Sequence, residues 1–455
     1  MTTEFAESSS PGMHRAVEKV ESSLETARAR RVILSLSTAG FTLLFAVWLM
    51  FGLLAIPIRT ELHLSNAQFS WLTAIAILNG SIWRLSFGML ADRFGGRLVM
   101  AGLLAFCAAP AILVAYAHSY GELLTYAFLV GLAGNGFSVG IAWNSAWFPK
   151  RTQGFALGIF GAGNVGASVT KLIGPALIAV TPVAGVTLLG LHLPGGWRSI
   201  PLIYAAMLLV MSGITLLLAP AADRTPGRGR SLADRLHPLA SVRVWRFGLY
   251  YVVMFGAYVA LSVWLPKYYE DVYHLPLASA ALLTALFIFP ASLLRPVGGY
   301  LADQFGARRA LYAVFTLMTM ACFLLALPPL HIGLEGSART FHFHLGVTAF
   351  TGVVFLLGMG MGIGKAAVYK YIPEYFPQDV GAVGGLVGLL GGLGGFFLPP
   401  LFGLGESLTH VPQTTFGILL VLTAASFLWL HMVVLRIVRA AAPEVRSRFE
   451  VQPTL

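Results

Sequence analysis

Apolar runs long enough to cross a bilayer recur along the 455-residue chain, separated by short polar stretches. They can be marked at roughly 33–57, 68–89, 98–117, 122–147, 153–181, 199–219, 246–266, 277–300, 310–330, 345–372, 381–404 and 413–435, twelve in all. A hydrocarbon layer about 30 Å thick needs about 20 apolar residues in a helix to span it. Several runs carry internal Gly and Pro, which a membrane bundle tolerates because neighbouring helices re-satisfy the freed backbone groups. The pattern predicts an all-α polytopic membrane protein. Its main polar connection divides six spans from six. The expected organisation is roughly a tail over 1–32, a six-helix half over 33–219, a linker over 220–245, a second six-helix half over 246–437 and a tail over 438–455.

Charge sets the expected orientation. Arg15, Lys19, Arg28, Arg30 and Arg31 precede span one, Arg93 and Arg97 follow span two, and Lys150 and Arg151 follow span four. The linker region carries Arg224, Arg228, Arg230, Arg235, Arg243 and Arg246. Arg308 and Arg309 follow span eight, and Arg436, Arg439, Arg446 and Arg448 follow span twelve. The opposite side holds only Arg59, Arg198, Lys267 and Arg339. The positive-inside rule then puts the linker and both termini in the cytoplasm.

Composition agrees. The chain is 57% hydrophobic and 11% charged, with a mean hydropathy of +0.77, against about 25% charged in soluble domains. The basic pI of about 9.8 is accounted for by the cytoplasmic loops, so no nucleic-acid partner is expected. Cys107 and Cys322 both fall in spans, which predicts neither a disulfide framework nor a metal site. Residues 1–31 lack the basic start, short apolar core and cleavage site of a signal peptide, so span one is expected to act as the insertion signal.

The remaining basic residues, Arg84, Lys171, Arg295, Lys365 and Lys370, lie within spans. No acidic residue falls clearly inside a span; Glu122 and Glu374, at span ends, come closest. A charge at the bilayer centre costs about 2.5–3.5 kcal/mol on insertion scales. A structural ion pair is the usual explanation, but the carboxylates are missing. Snorkelling is the second, and the matching positions of Arg84 and Arg295 in the two halves argue against it. The functional reading is a central cavity in which the missing partner is an anion. A guanidinium suits a small planar oxyanion because its rigid fork binds two oxygens at once. Such a cavity repels cations. Lys171 stands two turns along one helix face from Asn164, and either lines the outer path or meets the external headgroups. Lys370 either reaches the interface or pairs with Glu374. Lys365 is the better cavity candidate, and a buried lysine that can lose its proton is a candidate coupling group, with Lys370 as the second candidate for that role.

Two repeats carry a resemblance to known families. Arg84-x-x-x-Gly88-Met-Leu-Ala-Asp92-x-Phe-Gly95-x-Arg97 matches Arg295-x-x-x-Gly299-Tyr-Leu-Ala-Asp303-x-Phe-Gly306-x-Arg308, offset by 211 residues (84 to 295, 92 to 303). This loop resembles the cytoplasmic loop motif of the major facilitator superfamily, whose fold is twelve helices in two pseudo-symmetric halves. The resemblance implies that Asp92, Arg93, Arg97, Asp303 and Arg308 hold helix ends together and release them as the halves rock. The second repeat is glycine-rich. Gly158, Gly161, Gly163, Asn164 and Gly166 stand in GIFGAGNVG, and Gly388, Gly391, Gly392, Gly394 and Gly395 in GLLGGLGGFFLP. The two runs resemble the paired nitrate signatures of the nitrate/nitrite porter family.

That resemblance implies substrate-binding roles for Arg84 and Arg295, an aromatic sandwich including Phe45 and Phe137, a substrate-bonding hydroxyl at Tyr251, and a supporting amide at Asn164. It implies that the signature glycines allow close, sliding helix contacts. Span ten, with GKAAVYK, departs from the polar, uncharged segment of the nitrate/nitrite exchangers and is more similar to members thought to couple nitrate to protons.

The expected function is therefore import of nitrate, and of nitrite as a second substrate, across a bacterial inner membrane. Proton symport ranks first and nitrate/nitrite exchange second; a small carboxylate is the alternative cargo. A membrane sensor ranks lower, because tails and linker carry no obvious signalling domain. No cofactor is expected, and a membrane enzyme ranks lowest because the spans lack clustered His, Asp or Glu. The short loops fit a bacterial form, and the expected unit is a monomer.

Overall fold

The computed structural model describes residues 11–182, 184–188, 190–333 and 340–441. Sequence readings that fall on 1–10, 334–339 or 442–455, including Arg339, Arg446 and Arg448, lie outside the described residues. Eleven described helices are long and apolar enough to span a membrane. The helices Ala74–Ile82 and Arg84–Phe94, bent by 41° at their junction, form a further span, the second of twelve in chain order. The helix that holds span one, Pro11–Trp48, begins well inside the stretch expected as a polar tail. That stretch is rich in strong helix formers such as Ala16, Glu18, Lys19, Leu24 and Glu25, so propensity carries the helix past the apolar boundary. Two short hairpins, Val186–Leu188 with Leu191–Leu193 and Leu330–Gly333 with Thr340–Phe343, follow spans five and nine. They were not expected from a search for apolar runs.

The spans that meet at the centre are broken at mid-length. Span two turns at Trp83 and restarts at Arg84. Span eight turns at Leu294 and restarts at Arg295, with Pro296 in the first turn. Span four passes through a 3-10 turn over Leu132–Asn135, span five through Gly163–Val165, and span seven through a π turn over Val252–Gly256. Irregular backbone at membrane depth is tolerated where protein covers it, and it is a recurrent feature of carrier binding sites.

On the side that carries the linker, the halves close on each other through glycine. The helix Arg84–Phe94 packs on span eleven, Val380–Thr409, and Arg295–Phe305 packs on the first part of span five, Lys150–Ala162. A Cβ on Gly88 would strike the Gly381 carbonyl, and one on Gly299 would strike the Gly154 carbonyl and lie 3.0 Å from the Phe155 Cα. The Asp92 carboxylate accepts the Gly381 N–H at 2.9 Å. The Asp303 carboxylate accepts the Gly154 N–H at 3.0 Å and the Phe155 N–H at 2.7 Å. Asp92 thus satisfies an orphan amide in the first turn of span eleven, where a negative charge also suits the helix dipole, and Asp303 caps two amides one turn further into Lys150–Ala162. Gly95 and Gly306, with φ of 87° and 84°, make the sharp exits that only glycine adopts without strain.

The arginines of the loop motif play other parts. Arg97 donates through its backbone N–H to Asp223 at 2.9 Å and through Nη2 to the Leu216 carbonyl at 2.6 Å. Arg93 and Arg308 are exposed, so the cross-half contacts rest on the aspartates and not, as expected, on aspartates and arginines alike. Asp92 and Asp303 also correct the expectation that the buried spans lack acids. Both end their spans buried, but at the gate and not at the centre.

The linker ties these ends together. Asp223 accepts both the Trp143 and Trp147 indole N–H groups, at 3.1 and 2.8 Å. Arg230 pairs with Asp379 of the second half and donates to the Gln378 carbonyl at 3.2 Å. Arg235 is buried and donates to the carbonyls of Gly227 and Met89.

Candidate functional site

Arg84 and Arg295 restart their helices at the middle of the bundle, one from each half, and both are fully buried. Arg84 Nε donates to the Gly80 carbonyl and Nη1 to the Gly388 carbonyl, each at 2.9 Å. Its Nη2 has no partner. Arg295 Nη2 donates to the Tyr251 hydroxyl at 3.4 Å, and its Nε and Nη1 have no partner. Each guanidinium therefore keeps donors in hand, in a place where an unmade hydrogen bond is costly.

Phe137 lies between them. Its ring centroid is 5.5 Å from the Arg84 guanidinium carbon and 5.2 Å from that of Arg295. Arg84 also faces the rings of Trp48 at 5.2 Å and Phe255 at 5.3 Å. Desolvated contacts of this kind are worth about 2 kcal/mol each and hold the cations in place without neutralising them. Across from Phe137 stand Tyr251 and Phe255, parallel to it within 11° and 4°, at centroid distances of 6.2 and 6.4 Å. Tyr369 closes one side, edge-on to Phe137 at 5.0 Å and to Tyr251 at 4.7 Å, with its hydroxyl donated to the Gly384 carbonyl at 2.9 Å. The result is a flat slot with aromatic walls, guanidinium donors at the edges and a phenol.

The glycine runs explain how arginines fit here. A Cβ on Gly161 would sit 2.5 Å from the Arg295 guanidinium carbon, and one on Gly158 would meet the Arg295 carbonyl. In span eleven a Cβ on Gly388 would come 3.2 Å from Arg84 Cδ, and one on Gly391 would collide with the Tyr251 ring. Each run thus cradles the arginine or phenol of another span, while Gly163 and Gly166 bring span five against Thr42 of span one. Gly392 packs on Ser81, Gly394 on Val252 and Gly395 on Val259.

The other sequence candidates divide. Asn164 is fully buried in the span-five turn, and neither amide atom has a partner, so it bonds neither arginine in this state. Phe45 packs edge-on to Trp48 at 5.3 Å and on Phe41 at 5.5 Å; it backs the slot through Trp48, whose indole donates to the Ala76 carbonyl at 2.8 Å. Lys365 is fully buried, its Nζ has no hydrogen-bond partner, and it stands 3.4 Å from the Tyr258 ring centroid and 6.0 Å from that of Phe255. Lys370 lies in the gate instead, paired with Asp303 at 2.6 Å, near Glu374 at 3.7 Å and donating to the Lys150 carbonyl. Among the described residues no carboxylate pairs with Arg84, Arg295 or Lys365, and no group of His, Cys, Asp or Glu could hold a metal ion. Trp48, Tyr258 and Tyr369 are site neighbours that sequence reasoning missed. Tyr369 lies four residues after Lys365, one turn along the same face, a spacing that marks it once the lysine is suspected.

Comparison with known proteins places this geometry in a family. The model of the Major Facilitator Superfamily matches residues 36–397 and, again, 282–454. The chain is 61% identical over 433 residues to a Thermus thermophilus protein named as a probable nitrate/nitrite antiporter, NarK1, covering 94% of this chain and 97% of that one. It is 30% identical over 374 residues to the nitrite extrusion protein of Bacillus subtilis strain 168, covering 82% and 86%. The fold is similar to that of FucP, a transporter of the same superfamily crystallised in the outward conformation, with a TM-score of 0.69 at 17% identity over 89% of this chain and 99% of that one.

Proposed function

Since the chain belongs to the nitrate/nitrite porter family of the major facilitator superfamily, and so is a multi-pass membrane transporter and not an enzyme, we propose that it imports nitrate, and nitrite as a second substrate, across a bacterial inner membrane. The observation that carries this reading is the slot itself. Two buried guanidiniums with unused donors flank parallel aromatic rings, and no described carboxylate balances them. Two uncompensated charges at the bilayer centre cost about 2.5–3.5 kcal/mol each; a planar monovalent anion offsets that cost and fills the slot. Nitrate, flat and three-oxygened, suits flat ring faces with N–H donors in its plane, and the walls, 6.2 and 6.4 Å apart between centroids, part slightly to admit it. The names of the two relatives support the substrate class.

Transport follows from where the arginines come from. One stands in each half, so the bound anion draws the far-side ends of the halves together on itself. Gate contacts at Gly88–Gly381 and Gly154–Gly299 then open as those on the far side close, the alternating access of two related halves. The distribution of Arg and Lys supports a cytoplasmic linker and cytoplasmic termini. The carrier works as a monomer.

For coupling, proton symport is the first reading, because Lys365 lies beside the site with no carboxylate partner. Its amine takes up a proton with the anion on one side and returns it on the other. Exchange of nitrate for nitrite is the second reading, favoured by the antiporter name of the 61% identical relative. Nitrate uptake into proteoliposomes with an imposed proton gradient and no internal nitrite separates the two. Uptake that follows the gradient supports symport; uptake only after nitrite is loaded inside supports exchange. Nitrite and chlorate are expected to compete, oxalate and formate are not, and competition by the carboxylates would move the substrate class. Lys365→Gln is expected to remove gradient-driven accumulation, about tenfold or more, while passive nitrate equilibration continues. Undiminished accumulation in Lys365→Gln would exclude it as the proton carrier.

A further inference from the structure

One face of the outer half of span five is unexplained by packing. In the helix Gly166–Val180, Gly166 approaches span one, Gly174 meets Leu53 and Ile200, and Thr170 bonds the Tyr204 hydroxyl of span six at 2.6 Å. Those positions share one side of the helix. Asn164, Ser168 and Lys171 follow one another at four and three residues and share a different side. Val169, Leu172 and Ile173, large apolar and exposed, mark the side that suits lipid. The polar row thus runs along a flank between the packed side and the lipid side.

Its neighbours place that flank at the cleft between the halves. The outer half of span eight, Leu277–Leu293, touches span five along both the Gly163–Val165 turn and the outer helix. The Lys171 side chain reaches across to span one, its Cε 4.0 Å from where a Cβ on Gly52 would stand. Lys171 is exposed, and Gly52 beside it is exposed too. Ser168 is buried, and its hydroxyl has no partner; the Asn164 amide has none at either atom. No described carboxylate pairs with Lys171. The row therefore offers an exposed cation, then an unused hydroxyl, then an unused amide beside the central turn. Asn164 and Lys171 are about 10 Å apart along the axis.

We propose that Lys171 and Ser168 form an outer staging site for the same small monovalent oxyanion, which passes from there along Asn164 to the arginine slot. A single ammonium at the mouth of a low-dielectric cleft concentrates anions and raises their rate of arrival. Its point charge binds weakly enough to release them inward, whereas the paired guanidiniums hold the anion in fixed geometry. The inference rests on the reading of the chain as a nitrate carrier.

The test is nitrate uptake into proteoliposomes. Lys171→Gln is expected to raise the half-saturating nitrate concentration about tenfold with the maximal rate unchanged, and Lys171→Arg, which keeps the charge, to hold the half-saturating concentration at or below that of the wild type. Raising the ionic strength with an inert salt is expected to raise the wild-type value toward that of Lys171→Gln and leave the variant flat. A Lys171→Gln variant with wild-type half-saturation, or with a lowered maximal rate alone, overturns the staging site. A wild type that moves no nitrate overturns the substrate reading instead. As a check independent of turnover, Lys171→Cys is expected to react with a membrane-impermeant methanethiosulfonate, more slowly in saturating nitrate; the native Cys107 and Cys322 are buried. An unreactive Lys171→Cys overturns the proposal.

Discussion

Arg84→Lys and Arg295→Lys each lower nitrate uptake by about a hundredfold or more, in protein that remains folded and inserted. The two arginines use their forks differently. Arg84 spends Nε and Nη1 on the Gly80 and Gly388 carbonyls and keeps Nη2. Arg295 spends Nη2 on Tyr251 and keeps Nε and Nη1. A lysine preserves the charge, and with it the electrostatics of the empty site, but an ammonium cannot span these acceptors and the anion from one planar group. Losing two charge-assisted hydrogen bonds at about 1.5–3 kcal/mol each amounts to about two factors of ten or more, at about 1.4 kcal/mol per factor. The measurement is the initial uptake rate in proteoliposomes, with thermal unfolding in detergent as the control for folding. Wild-type flux in both variants would take the arginines out of the site.

The arginines were legible in the sequence because a charge among apolar residues is expensive and has to be explained. The glycine runs were legible for a related reason. Glycine is a poor residue for a helix, and here Gly161 and Gly388 leave room for the side chains of Arg295 and Arg84 themselves. The helix breaks were not legible. Span two turns at Trp83 without proline or glycine at the turn, and span seven takes its π turn through VVMFG, a sequence that would pass for regular helix. Such breaks are set by what packs around them. Aromatics were half legible. Phe137 and Tyr251 came from a motif, but Trp48 and Tyr369 sit in runs where a ring facing lipid and a ring facing the slot read alike, since side-chain type alone does not say which face is covered. The buried acids were misread because Asp92 and Asp303 stand next to polar loop residues. Only the approach of the other half encloses them.

The gate supplies the second large effect. Gly88→Ala and Gly299→Ala are each expected to cut the maximal rate of transport about tenfold, and together more. Elsewhere in a helix, glycine to alanine stabilises by about 0.5–1 kcal/mol, so a loss of function here cannot come from weakened helices. It comes from the added methyl. At Gly88 it strikes the Gly381 carbonyl, and at Gly299 the Gly154 carbonyl, with backbone on both sides and no side chain to move away. Overpacking of this kind costs about 1–3 kcal/mol, and in the proposed cycle it falls on the state in which the halves meet on the linker side, the state described here. That state falls in population by about a factor of ten per 1.4 kcal/mol, and a carrier that must visit it in every cycle slows accordingly. The two contacts involve different helix pairs, so their costs should nearly add. The same shift exposes the linker-side cleft. Ser145, which lines a cavity there with Asp92 and Val380, offers a reporter: in a Ser145→Cys background, thiol labelling from the linker side should quicken in Gly88→Ala and Gly299→Ala. Slower transport without faster labelling would mean that the methyl groups disturb something other than closure. Unchanged transport would mean that the halves need not approach as closely as Gly88 and Gly381 do here.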